Sequence, residues 1–117
     1  MIGNSFPFNL ISRRAVITVV EREEFRQQIS GCVIHSFWGH ANTLKAAERF
    51  TGMDLTPVVP RPVLTLSDRN LPMLNDREFD ECWVLSPIYA CNLRPEIGRE
   101  VSINQIDGWR IKKLNWR

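Results

Sequence analysis

The sequence lacks the long apolar runs of membrane proteins. None of its hydrophobic stretches approaches the length of about 18 residues that spans a bilayer, and the N-terminus has no apolar segment typical of a signal peptide. The sequence also has no P-loop, no GxGxxG turn and no Ser-His-Asp signature. We therefore expect a cytoplasmic protein with no membrane partner and no dinucleotide cofactor.

Cysteine is scarce and unpaired in the sequence. Cys32, Cys82 and Cys91 form no CxxC motif, which favours reduced thiols over a disulfide framework. Cys32 and His35 have a spacing seen in zinc sites, but in a strand side chains three apart point to opposite faces. We expect no metal site.

The sequence also lacks a large excess of charge of either sign. The formal net charge is only +2, and the basic residues between positions 94 and 117 give a mild local bias. Such a balance gives no electrostatic reason to expect binding to duplex nucleic acid, although it suits a small anionic ligand.

The composition and the pattern along the chain predict one α+β domain over residues 1–117. Hydrophobic residues make up 44% and charged residues 24%, as in soluble globular proteins. We predict a mixed sheet of five to six strands with two helices packed on it. The predicted elements are strands at the start of 2–10 and at 14–20, 32–37, 63–66, 81–89 and 108–116, helices at 21–29 and 40–50, a long loop at 67–80 and one helical turn at 102–106.

The junction between Ser36 and Thr43 carries the clearest chemical signal. Gly39 and His40 stand between an apolar run and the second predicted helix. Unpaired N–H groups at a helix N-terminus attract phosphate. Their partial positive charge also disfavours the imidazolium form, so it lowers the pKa of a histidine there towards the range useful for proton transfer. His40 is thus a candidate general acid or base, although a lone histidine is more often structural.

Other residues allow two interpretations each. Asn4 and Asn9 bracket the first turn, where their amides either bind a ligand or cap their own backbone. Arg94 and Glu96 form either part of a site or a surface ion pair. His35 reads as a core histidine. The four tryptophans either fill the core or a subunit interface, which we favour, or form a base-stacking surface. They are Trp38, Trp83, Trp109 and Trp116.

The order of these motifs resembles a family of small viral and mobile-element proteins that includes the type III anti-CRISPR ring nucleases. The matching segments are Asn4-Ser5-Phe6-Pro7-Phe8-Asn9, Gly39-His40-Ala41-Asn42-Thr43 running to Gly52, Arg61 before a strand, and Leu93-Arg94-Pro95-Glu96-Ile97-Gly98. Three features depart from the family pattern, the first of which is a shift by one position of the arginine and proline in the loop Arg94-Pro95-Glu96. Trp38 stands where a smaller aliphatic residue is usual, and 67–80 is longer than the family's tight hairpin.

The resemblance implies a homodimer that encloses a cyclic oligoadenylate between its subunits and cleaves it without a metal. His40 and Glu96 would be the catalytic residues, His40 protonating the departing 5′-oxygen. The implied ligand-binding residues are Asn4, Ser5, Asn9, Gly39, Thr43, Arg61 and Arg94. Such a protein would antagonise type III CRISPR or related antiviral signalling in the host-cell cytoplasm.

Two alternatives stay open at this point. The first is a non-catalytic sponge that holds a cyclic nucleotide messenger intact. The second is a viral protein-interaction or DNA-binding domain that would use exposed tryptophans and the basic C-terminal segment as its surface.

Overall fold

A four-stranded sheet organises the fold. The structure, a computed structural model, describes residues 1–39, 41–58, 62–89 and 106–117. The strand order is β1-β6-β7-β2, where these are Ile2–Gly3, Glu81–Tyr89, Ile106–Asn115 and Val16–Val20. β1 is parallel to β6, and β7 is antiparallel to both β6 and β2. The sheet is therefore mixed, as predicted.

The central position of β6 follows from its apolar sequence. Its residues from Cys82 to Leu85 are buried, so this stretch is covered on both faces of the sheet. Pro87 was expected at the end of the strand, yet it lies within it, paired with Trp109. The backbone N–H of Trp83 donates to Met1 on the β1 side. Pro87 lies four residues further along β6, so its backbone nitrogen faces the same edge of the strand as that of Trp83. The two-residue β1 does not extend that far, so the missing N–H of Pro87 costs no hydrogen bond to β1.

Two helices cover one face of the sheet. α1 (Arg22–Ile29) begins one residue later than predicted and ends before Gly31, whose φ is +76°. Its Phe25 is buried with its ring 5.1 Å from that of Trp83. α2 (Ala41–Thr51) extends one residue beyond the predicted end and buries Ala46, Ala47 and Thr51. Of the predicted apolar stripe, Ala47 is fully buried and Leu44 and Phe50 are half-buried against the same cluster.

A second, three-stranded sheet corrects two predictions. It consists of β3 (Leu64–Leu66), β4 (Pro72–Leu74) and β5 (Arg77–Glu78), all antiparallel. The predicted loop at 67–80 thus contains two strands, and the predicted single sheet of five to six strands is divided into sheets of four and three. Asn75 and Asp76 both have positive φ, as a tight primed hairpin turn requires. This turn joins β4 to β5, and a second turn, in which the Ser67 N–H donates to the Leu71 carbonyl, joins β3 to β4.

The predicted strand at 32–37 was also wrong. In its place a single parallel bridge joins Ile2 to Ser36, through hydrogen bonds from Ile2 N–H to the His35 carbonyl and from Phe37 N–H to the Ile2 carbonyl. β1 is only two residues long, so it offers no further ladder to this segment. The predicted helical turn at 102–106 falls mostly outside the described residues, and Ile106 begins β7.

The α+β class and the two helices are confirmed for the described part of the chain. Two apolar clusters lie on opposite faces of the four-stranded sheet, one under the helices and one under the N-terminal turn and the small sheet. No helix within the described ranges is long and apolar enough to cross a membrane.

Candidate functional site

A cavity of about 430 Å³ lies beside the N-terminal turn. Three segments of the described chain line it: the turn after β1, the residues just before α2, and the residues leading into β3. The lining residues are Asn4, Ser5, Pro7, Leu10, Phe37, Gly39, Pro62, Val63 and Leu64. The cavity therefore joins three regions that the sequence analysis selected separately.

One hydrogen bond fixes the first two segments to each other. The backbone N–H of Gly39 donates to Asn4 Oδ1 at 2.9 Å. The bridge between Ile2 and Ser36 holds the two segments side by side. Because Asn4 follows Ile2 and Gly39 follows Ser36 by only two or three residues, the bridge brings Asn4 and Gly39 close to each other. The amide oxygen of Asn4 is thereby engaged, and its Nδ2 group is the part of the side chain that this bond leaves for a ligand.

The start of α2 is anchored by Trp38. Its indole Nε1–H donates to Thr43 Oγ1 at 3.0 Å, and its backbone N–H donates to Ser36 Oγ at 3.2 Å. The Trp38 ring is buried, 6.1 Å from the ring of Trp109. The bulky residue that departs from the family pattern thus packs into the core and ties the junction to the first turn of the helix.

The predicted ligand-binding residues that the structure describes are divided between the cavity and its surroundings. Asn4, Ser5 and Gly39 line the cavity. Asn9 is exposed on the short 3-10 helix Phe8–Leu10, and it does not belong to the described lining. Thr43 does not belong to it either, and its hydroxyl accepts the hydrogen bond from Trp38.

The charged residues of the predicted site lie outside the described residues. These are His40, Arg61, Arg94 and Glu96. His40 follows Gly39 and Arg61 precedes Pro62, so each is the chain neighbour of a residue that lines the cavity. None of the described lining residues carries a charge. The described part of the site therefore offers polar amide and hydroxyl groups and apolar walls, which can hold a ligand but supply no acid or base.

Leu10, Phe37 and Val63 form apolar walls of the cavity that the sequence analysis did not select. Their only sequence signal is adjacency, because each lies within a few residues of Asn9, Gly39 or Arg61. Apolar residues at such positions read equally well as core, so the pattern alone could not assign them to the cavity.

His35 has a structural environment. Its Nε2 lies 3.2 Å from an Arg77 Nη1, and its ring centre lies 5.2 Å from that of Phe79. Burial lowers the pKa of His35, and the positive charge of Arg77 lowers it further. The guanidinium of Arg77 can only donate, so Nε2 accepts this hydrogen bond and the imidazole is neutral. Within the described ranges, no group of three or more His, Cys, Asp or Glu side chains could hold a metal ion.

The tryptophans belong to the core. Trp38, Trp83 and Trp116 are buried, and Trp109 is half-buried with its ring stacked on Phe50. A base-stacking surface made of exposed tryptophans is therefore wrong. Two cations of the basic C-terminal segment are also paired, Lys113 with Glu81 and Arg117 with Asp80. Both observations weigh against the DNA-binding alternative.

The comparisons with known proteins support the fold alone. No protein-family model and no curated protein sequence matches the chain. Among solved structures, the chain is similar to B116 of Sulfolobus turreted icosahedral virus, with a TM-score of 0.54 and 17% sequence identity. The match covers 99% of this chain and 97% of B116. The chain is therefore similar in fold to a small viral protein over nearly its whole length.

Proposed function

We propose that the protein binds a cyclic oligoadenylate messenger and cleaves it without a metal, acting as a viral protein against type III CRISPR or related signalling. The observation that carries the proposal is the hydrogen bond between Asn4 and Gly39, which joins the asparagine turn and the Gly-His junction at one cavity. The viral B116 fold over nearly the whole chain agrees with a viral role. The proposed unit is a single ring-nuclease-like domain in the host-cell cytoplasm.

In the proposed reaction, the ribose 2′-hydroxyl attacks the adjacent phosphorus and the bond from phosphorus to the 5′-oxygen breaks. His40 delivers a proton to the departing 5′-oxygen, and the proton of the 2′-hydroxyl passes to Glu96 or, if Glu96 instead orients His40, to water. The products are a 2′,3′-cyclic phosphate and a 5′-hydroxyl. The nucleophile already lies on the same nucleotide as the phosphate, so the reaction has the entropic advantage of an intramolecular attack.

The other proposed residues hold the anion. Arg61 and Arg94 neutralise phosphate charge, which the described lining of the cavity does not do. Asn4 Nδ2 and the hydroxyl of Ser5 donate hydrogen bonds to the ligand. A ring with several phosphates is larger than a single cavity, and we therefore propose that two copies of the chain enclose it as a homodimer.

The test uses the full-length protein, labelled cyclic oligoadenylates of several ring sizes, and EDTA throughout. We expect linear products from the wild type and a loss of about 100-fold or more in rate for His40→Gln, with binding retained. The chain offers a matched control in His35→Gln, which removes the histidine held by Arg77 and should leave the rate within about threefold.

The outcomes separate the alternatives. Absence of both binding and product at every ring size would contradict the proposal. Binding followed by recovery of the intact ring would instead establish the sponge. Sedimentation with and without the ligand tests the homodimer, for which we expect a two-subunit species with one ring bound.

A further inference from the structure

A second cleft lies on the sheet face opposite the helices. Its volume is about 250 Å³, and its apolar walls come from both the N-terminal turn and the sheet. These walls are Phe6, Phe8, Ile17, Val84 and Leu114. A cleft of this size lies just below the range of typical small-molecule pockets, so it suits one small unit of a ligand and not a whole oligomer.

The cleft contains one cation without an acidic partner. Lys112 lies on β7 between Val19 of β2 and Val84 of β6, and it is half-buried among apolar neighbours. In the described part of the chain, no carboxylate pairs with it. Lys113 points to the other face, where its Nζ lies 3.4 Å from Glu81 and 2.6 Å from Gln28 Oε1. A half-buried lysine with no carboxylate partner favours an anionic occupant.

Phe8 gives this cleft an aromatic platform. The side chain is 76% exposed, although large aromatic side chains usually gain from burial. Stacking a nucleobase on an exposed aromatic ring is favourable and tolerates any base. The hydroxyls of Ser5 and Ser86 also line the cleft and can hydrogen-bond to a phosphate or to a base edge.

We propose that this cleft binds one nucleotide unit, with its base against Phe8 and its phosphate held by Lys112. Ser5 lines both this cleft and the cavity at Asn4 and Gly39, so the two are neighbours. The choice of a nucleotide as the aromatic anion rests on the proposed function. The preference for an aromatic anion rests on Phe8 and Lys112 alone.

The experiment is a titration of the ¹⁵N-labelled full chain with adenosine 5′-monophosphate, followed by amide chemical shifts. We expect saturable shifts at Val84, Ser86 and Lys112 in the wild type. Adenosine, which lacks the charge, and inorganic phosphate, which lacks the ring, should each bind at least about tenfold more weakly.

Matched variants test the two side chains. Lys112→Gln should weaken binding about tenfold, whereas Lys45→Gln removes the same charge from the exposed face of α2 and should change nothing. Phe8→Ser should weaken binding at least about fivefold, whereas Val33→Ser removes an equally exposed apolar group elsewhere and should not.

Each remaining outcome decides the proposal. Absence of shifts in the cleft at millimolar nucleotide, or an affinity in Lys112→Gln equal to that of the wild type, would overturn it. Self-association that Phe8→Ser abolishes, without nucleotide binding, would assign the cleft to a second copy and overturn it too. Saturable binding here combined with no binding or cleavage of cyclic oligoadenylates would leave the cleft standing and reject the proposed function.

Discussion

Asn4 Oδ1 accepts a hydrogen bond from the backbone N–H of Gly39 at 2.9 Å, between residues 35 positions apart in the sequence. The bond places the residue after β1 against the residue that precedes His40. It thus makes the position of Gly39, the chain neighbour of His40, depend on a side chain from the first turn of the protein.

Two substitutions at Asn4 separate the structural part of this contact from its role in binding. Asn4→Ala removes the acceptor and should lower the free energy of unfolding by about 1 kcal/mol. Asn4→Asp keeps an acceptor, so stability should hold, while its negative charge should reduce affinity for a cyclic oligoadenylate about tenfold or more. Urea unfolding and equilibrium binding measure the two effects.

Gln27→Glu is the matched control for Asn4→Asp. It makes the same change from amide to carboxylate at an exposed position of α1. If Gln27→Glu weakens binding as much as Asn4→Asp does, the effect comes from net charge and Asn4 does not face the ligand.

Gly39 provides a second test of the cavity. Among described residues, a Cβ at Gly39 would meet only Asn4 Oδ1, at 3.7 Å, which is ordinary contact, and its φ is not in the left-handed region. Gly39→Ala should therefore change the free energy of unfolding by less than about 1 kcal/mol. If the ligand approaches the backbone there, the same variant should bind a cyclic oligoadenylate at least about tenfold more weakly. Unchanged binding would show that glycine is not needed for close approach.

Elements with a strong local pattern were predictable from the sequence. The apolar run at 81–89 predicted β6 with the bounds that the structure has. Helical spacing ended by Gly31 and Gly52 predicted both helices to within a residue or so. The strand is recognised from its own apolar run, and the two helices from their periodicity and a terminating glycine.

Elements that depend on distant partners were not predictable in this way. The segment 32–37 has the composition of a strand, but it forms one bridge because its partner β1 ends at Gly3. The polar segment 67–80 contains a hairpin that its sequence did not indicate, because the turn is formed by Asn75 and Asp76 and not by a glycine. The hydrogen bond between Asn4 and Gly39 likewise depends on the bridge from β1 to Ser36, so spacing along the chain could not reveal it.

Gly3 should tolerate no side chain. A Cβ there would overlap the ring of Phe37, which packs in the same apolar cluster as Phe6. Gly3→Ala should therefore lower the free energy of unfolding by about 1–3 kcal/mol. At Gly108 the nearest atom to a Cβ among described residues is Ile88 Cδ1 at 4.0 Å. Gly108→Ala should be neutral or slightly stabilising, and equal losses in the two variants, measured by urea unfolding, would contradict the packing explanation.

The contact between Asp80 and Arg117 predicts a pH dependence of stability. Arg117 Nε donates to Asp80 Oδ2 at 2.8 Å, and this hydrogen bond holds the pKa of Asp80 below its usual range. The stabilisation is therefore fully present above about pH 4, the usual value in an unfolded chain, and is lost as the pH falls through the lower pKa of the folded state.

Asp80→Asn should lower the free energy of unfolding at pH 7 by less than about 1 kcal/mol, because both partners are largely exposed to solvent. The difference from wild type should disappear by about pH 2. Asp68→Asn makes the same change at an exposed position and should leave the free energy of unfolding at pH 7 within about 0.5 kcal/mol of wild type. A deficit in Asp80→Asn that persisted at pH 2 would mean that the carboxylate charge is not the cause.

The two described cysteines should differ sharply in reactivity. Cys32 is exposed after α1, whereas Cys82 is fully buried in β6 and burial raises its pKa to about 12. Cys91 lies outside the described residues, so the experiment uses a Cys91→Ser background. At pH 8 we expect a disulfide reagent to modify one thiol quickly in the folded protein. The second thiol should react only on unfolding, because the reactive species is the thiolate and the reagent must reach it. Adding Cys32→Ser should abolish the fast phase. A fast phase that remained would place Cys82 within reach of solvent and contradict its position in the core.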